Sequence, residues 1–163
     1  MELELQQLLG RIILSQRTAA LGTLRSGSPF VSMVLYAPSP AFSSFYLHIS
    51  RMAQHTQDIL KDKRVSLMIA ESDRGDERDP QTLARISILG EAAAVTPDSL
   101  DAFDARAIYL TRFPQAEFFF RMNDFSLYRV KAQSARFVAG FGKIYSLNPT
   151  HLKESARLYS QKG

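Results

Sequence analysis

A chain of 163 residues with no Cys, no Trp and three His is long enough for one domain with a real core; it excludes disulfides, thiolate metal sites and cysteine catalysis. Hydrophobic residues at 45% and charged residues at 22% are ordinary for a globular protein and exclude wholesale disorder. The formal charge of +4 is uneven: residues 129–163 hold seven Lys or Arg against one Glu, so the first 128 residues carry a net −2.

The opening MELELQQLLGRIIL has acids where a secretory signal needs positive charge, and no apolar run is long enough for a bilayer. A soluble cytoplasmic protein is expected. Leu5, Leu8, Leu9, Ile12 and Ile13 recur at helical spacing and predict a helix from Glu2 to Gln16. Thr18 to Leu24 reads as a strand. The turn signal Ser26-Gly27-Ser28-Pro29 joins it as a hairpin to FVSMVLY, Phe30 to Tyr36. Phe45 to Ile49 is a third strand. Ser50 is placed as the N-cap of a helix running to Lys61.

Arg64 to Ala70 returns to strand, and the charged stretch from Glu71 to Gln81 is a solvated loop. Ala84 to Thr96 is a long strand in which Gly90 marks a bulge or a close backbone approach. Pro97-Asp98 opens a helix to about Arg112, and a short one follows from Pro114 to Phe120. Phe125 to Val130 and Ala135 to Phe141 are the last two strands. A terminal helix spans Pro149 to Ser160, with Asn148 or Thr150 near its N-cap. Six or seven strands that do not alternate with helices predict an antiparallel sheet or barrel with helical insertions.

The passage from Tyr46 to Thr56 runs from a strand into a helix start. Free amides there, beside Ser50, Arg51, His55 and Thr56, make an anion site or simply a capped helix with a polar face. His48 sits in an apolar strand. His55 follows seven residues on, without metal-pair spacing. His151 lies near the start of the last helix; a lone His can ligate haem iron, and a surface His is the plainer reading. In GFGK, Gly140 and Gly142 mark a tight turn presenting Lys143, since the longer spacing of a phosphate loop is missing. No serine-hydrolase elbow, HExxH or EF-hand occurs. The tail lacks the dense basic stripe of a nucleic-acid binder.

Together, GSPFVSMVLYAP, FYLHISRMAQHTQDILKDKRVSLMIAES, LARISILGEA and FSLYRVKAQSARFVAGFGKIY resemble the FMN-binding split barrels related to pyridoxamine 5'-phosphate oxidase. The HIS-x-x-A-x-H-T block, the VSLMI strand and the late GFGK are most similar to the bacterial haem-utilisation branch. The resemblance covers about residues 15 to 146. It implies a single domain, a six-stranded antiparallel Greek-key split barrel (α+β), that forms a homodimer with cofactor sites at the interface. It implies no nucleic-acid or membrane partner.

FMN is the ligand implied first. Ser32, Met33 and Val34 would line the flavin side, and Ile49 and Ser50 would approach the ring system or ribityl chain. Ala53, Gln54, His55 and Thr56 would surround the phosphate, with Arg85 and a Lys143 from the partner subunit as further contacts. The oxidase's cationic positions fall on Ser32, Ala37, Gln54 and His55 here, so the phosphate cage has fewer fixed charges, and pyridoxamine phosphate oxidation is not implied.

In the haem branch the axial His lies in the extreme tail, which falls near Lys162. Asp124 matches the acid that supports that His, and His151 is the alternative ligand. The expected function is therefore an FMN-dependent oxidoreductase of unknown substrate. The alternatives are a haem-binding or haem-degrading protein and a cofactor-less binding module. Arg136 and Lys143 are the tail cations expected to face a phosphate or propionate.

Overall fold

A computed structural model describes residues 1–161. Leu3–Ser15 form α1, which buries Leu5, Leu9, Ile12 and Ile13 along one face. The strands are β1 (Thr18–Arg25), β2 (Ser28–Leu35), β3 (Ala37–Pro38), β4 (Ser44–Ser50), β5 (Arg64–Ala70), β6 (Arg85–Ala94), β7 (Phe125–Val138) and β8 (Ile144–Leu147). The other helices are α2 (Gln54–Lys61), α3 (Leu100–Arg112), α4 (Glu117–Phe120) and α5 (Pro149–Ser160). No helix among the described residues is long and apolar enough to cross a membrane.

All strands join one antiparallel sheet in the order β2-β1-β5-β6-β7-β4-β3, with β8 added to β7. The sheet curls into a half-closed barrel. β2 and β4 approach without forming a ladder, which leaves the split. Period-two alternation sends Ala19, Leu21 and Thr23 of β1, Leu67 and Ile69 of β5, and Ile86 and Ile88 of β6 to the interior. Leu9, Ile12 and Ile13 of α1 plug that interior.

The outer face is covered only in part. Over β4 and β7, α3 packs a second apolar cluster of Tyr46, Ala105, Tyr109 and Phe113. Over β2, β1 and β5 nothing among the described residues covers it. There Val31, Met33 and Met68 stand 66%, 69% and 41% exposed around Ala20 and Gly22.

The sequence readings hold for most elements, with four differences. The helix after β4 begins at Gln54, with Ala53 as N-cap, and not at Ser50. Ser50 instead ends β4 and bonds Asp124 across the sheet. The two expected strands near the end are one 14-residue strand, β7, and β8 was not anticipated. The eight strands exceed the six of the minimal barrel because β3 and β8 are short additions. Gly90 is both a bulge and a close approach: the β6–β7 register shifts beside it.

One anchor is nonlocal. Arg112, at the end of α3, donates to the carbonyls of Leu14 (3.1 Å) and Gln16 at the end of α1 and lies over the Tyr36 ring at 5.2 Å. Those carbonyls have no partner within their own helix. Arg112→Met keeps the aliphatic packing and removes these charge-assisted bonds. It is expected to cost about 2–3 kcal/mol and to lower Tm by about 4–10 °C in a thermal melt.

Candidate functional site

After β4 the chain turns at residues 50–53, and α2 packs on β1, β2 and β6. Residues 123–124 pin that turn. Ser50 Oγ donates to Asp124 Oδ2 at 2.8 Å and accepts from the Met52 amide at 3.1 Å. The Arg51 amide donates to the Asp124 carbonyl at 2.7 Å, and the Arg51 guanidinium to the Asn123 carbonyl at 2.8 Å.

With the turn fixed, the first residues of α2 face β1 and β2. Asp58 is 2% exposed and accepts from Thr23 Oγ1 at 2.9 Å and Gln54 Nε2 at 2.7 Å. Arg25 donates to Gln54 Oε1 at 2.8 Å. His55 Nδ1 meets Ser32 Oγ at 3.1 Å. Burial pulls the His55 imidazole below its ordinary pKa, opposed by the Asp58 carboxylate. A neutral ring results. If Nδ1 carries the proton and donates to Ser32, Nε2 keeps its lone pair, the tautomer required of a metal ligand. His55 Nε2 and Thr56 Oγ1 are both buried without a partner.

The amides of Gln54 and His55 also meet no acceptor among the described residues, and no side chain caps α2. Two free N–H groups at the positive end of a helix favour an anion. The side chains do not add to that. Arg25 and Asp58 cancel formally, and no other cation among the described residues is bonded into the cluster. The site suits one negative charge better than two.

The structure brings Ser32, Gln54, His55 and Thr56 together, with Ala53 as the cap between them. Val34 and Ile49 are buried in the core, and Met33 points to the bare outer face. Ser50 is committed to the turn. Arg85 donates to the carbonyls of Leu83 and Gln81 in its own chain segment, away from α2. Lys143 sits in the β7–β8 turn, where Gly140 and Gly142 take φ of 135° and 75°.

Arg136 lies on the outer face and donates to Ser146. His151 Nδ1 accepts from the Asn148 amide in a capping box that starts α5. The expected tail position near Lys162 lies outside the described residues. Among those described, no group of three His, Asp or Glu forms a metal centre.

Sequence reading missed Thr23, Arg25 and Asp58. Gln54 and Asp58 are four apart on α2, so their pairing was available from helical spacing. The burial of Asp58 depends on Thr23, 35 residues away, and has no local signal.

Comparison with known proteins agrees with this architecture. A family described as "CREG, beta-barrel" matches residues 10–156. A chloroplastic protein of Arabidopsis thaliana, named non-canonical heme oxygenase HOZ, is 36% identical over 116 residues, which are 70% of this chain and 33% of that one. A solved heme binding protein from Mycobacterium smegmatis is 29% identical with a TM-score of 0.79, over 91% of this chain and 60% of that one. The chain thus spans a third of the curated relative and three fifths of that structure.

A protein of the pyridoxinephosphate oxidase family from Clostridium acetobutylicum shares the fold, with 11% identity and a TM-score of 0.68 over 93% of this chain and 99% of that one. The family match over most of the chain, with the curled antiparallel sheet, makes the chain a member of the CREG beta-barrel family.

Proposed function

We propose that this protein is a haem-binding split barrel that acts as a homodimer. The observation that carries the reading is the formal charge of zero at the start of α2, where Arg25 and Asp58 cancel beside two free amides. A carboxylate monoanion, as on a haem propionate, matches that count. A phosphate dianion beside the buried Asp58 would not. The two relatives named for haem support the same choice.

The residues present fit such a group. The amides of Gln54 and His55 would receive the carboxylate, with the neutral His55 ring held beside them by Ser32; its Nε2 is buried, so ligating iron would require the ring to turn outward. Haem, when bound, supplies redox and oxygen chemistry at its iron. The chain's part would be to keep the imidazole neutral and to hold it beside the α2 amides. The bare outer face of β2, β1 and β5 supports the dimer: its exposed apolar side chains flank Ala20 and Gly22.

The test is a haem titration of the wild type, His55→Ala and His151→Ala. His55→Ala is expected to weaken binding about tenfold or more and to shift the Soret band. His151→Ala should leave the band in place and cost only the α5 cap, about 1 kcal/mol. A Soret band lost on His151→Ala and kept on His55→Ala would move the ligand to α5.

A second reading keeps FMN and a flavin-dependent oxidoreductase, because free amides at a helix start also suit a phosphate. It needs cations from the partner subunit, of which Lys143 is the candidate. Lys143→Ala would then lower FMN affinity, and unchanged affinity would remove that contact.

A further inference from the structure

β4 sends alternate side chains to opposite faces. Phe45, Leu47 and Ile49 enter the barrel core, whereas Tyr46 and His48 face α3 and α4. Tyr46 is covered by the α3 cluster, with Tyr109 and Phe113. Two residues further the cover runs out. His48 is half-buried beside an open cleft of about 220 Å³, lined also by Asp98, Phe103, Arg106, Phe120 and Phe125. The cleft lies on the far side of β4 from the barrel interior and shares no lining residue with the α2 site.

The cleft has the parts of a small-molecule site. The His48 ring stacks on Phe120 at 3.8 Å with 7° between planes, and Phe125 lies 5.5 Å away. Stacking fixes the imidazole, yet neither ring nitrogen has a hydrogen-bond partner among the described residues. Arg106 lies 4.9 Å above the Phe120 ring and spends one nitrogen on Glu117 at 2.8 Å. A guanidinium has five donors, so several stay free. Phe103 is 67% exposed at the rim, an apolar ring without a neighbour on its outer side.

We propose that this cleft binds a small aromatic carboxylate of one or two fused rings, its ring between Phe103 and Phe125 and its acid on Arg106 and His48. The size excludes a macrocycle: the cleft lies below the range of about 300–1,000 Å³ typical of drug-sized ligands. The guanidinium donors of Arg106 that Glu117 does not take favour an acid, opposed by Asp98 at the rim. Burial, with the Arg106 charge second, pushes the His48 imidazole down to about 4.

The other charged groups that face the ring are Asp98, exposed on the turn before α3, and Glu117 of α4, already taken by Arg106. β4 and β7 add no further charge to the lining. A bound carboxylate offsets Arg106 and stabilises the protonated imidazole. Binding therefore takes up a proton, and affinity rises as pH falls.

Indole-3-carboxylate is the probe, because the chain has no Trp and indole emission is free of protein background. Its anisotropy should saturate, with indole and tryptamine binding at least about tenfold more weakly. Affinity should rise about threefold or more from pH 7.5 to 5.5. Arg106→Gln should weaken binding about tenfold, and His48→Gln should abolish the pH dependence.

Should either variant fail to fold by circular dichroism, the His48 ring resonances of the wild type decide, since they must shift with the probe. Three results overturn the proposal: no saturation and no shift at His48; tryptamine or indole binding as tightly as the acid; or haem displacing the probe competitively, which would give the cleft to haem.

Discussion

Gly90→Ala is expected to destabilise the protein by about 3 kcal/mol or more, among the largest effects of a single methyl group. A Cβ at this position would lie 2.2 Å from the Lys131 carbonyl oxygen and 3.0 Å from its carbon. Both are backbone atoms of the neighbouring strand, so the β6–β7 ladder itself must move. The site is where the register shifts between Leu89 and Gly90 and the sheet bends to close the barrel. Tm should fall by about 6–12 °C for a domain of this size. Gly22→Ala is the control: its Cβ meets Ser66 at 3.6 Å, ordinary contact, and the change should stay within about 0.5–1 kcal/mol. Equal losses in the two variants would show that β propensity decides, and not the close approach.

Met33→Asp is expected to release the proposed homodimer to a monomer of 18.3 kDa, weakening association about a hundredfold or more. Met33 is 69% exposed in the protomer, opposite Ala20, which in turn faces Met68. A carboxylate there costs the isolated chain nothing in burial, so the melting temperature of the monomer should change little. In a dimer it would be buried unpaired against apolar side chains. Light scattering at several concentrations reads the difference. A wild type that stays monomeric at high micromolar concentration would contradict the dimer, and so would a variant that stays dimeric.

Much of the fold was legible because period and punctuation agreed. Arg64–Ala70 is a strand at the expected bounds, Asn148 caps α5, and the hairpin at Ser26-Gly27 forms as its turn residues dictate. β7 was not legible as one strand because Lys131, Gln133 and Ser134 break the apolar run. They sit on exposed positions, and pairing with β6 carries the chain through the bulge. β8 has four residues and too few alternations for a period to show.

The site was half legible. Gln54, His55 and Thr56 were expected together at the helix start; Ser32, expected on the flavin side, meets His55 there. Ser50 has the right chemistry for an N-cap, but its hydroxyl is drawn to Asp124, 74 residues away. The burial of Asp58, which sets the charge of the site, arises only when α2 lies across β1. The His48 cleft likewise needs α3 and α4 to fold over β4.

The most direct test of the central claim is a paired titration of the purified chain with haem and with FMN. The α2 site, with its formal charge of zero, predicts a Soret band that saturates near one haem per chain, and no FMN fluorescence quenching at tens of micromolar. Stoichiometric FMN quenching without a Soret band would contradict it.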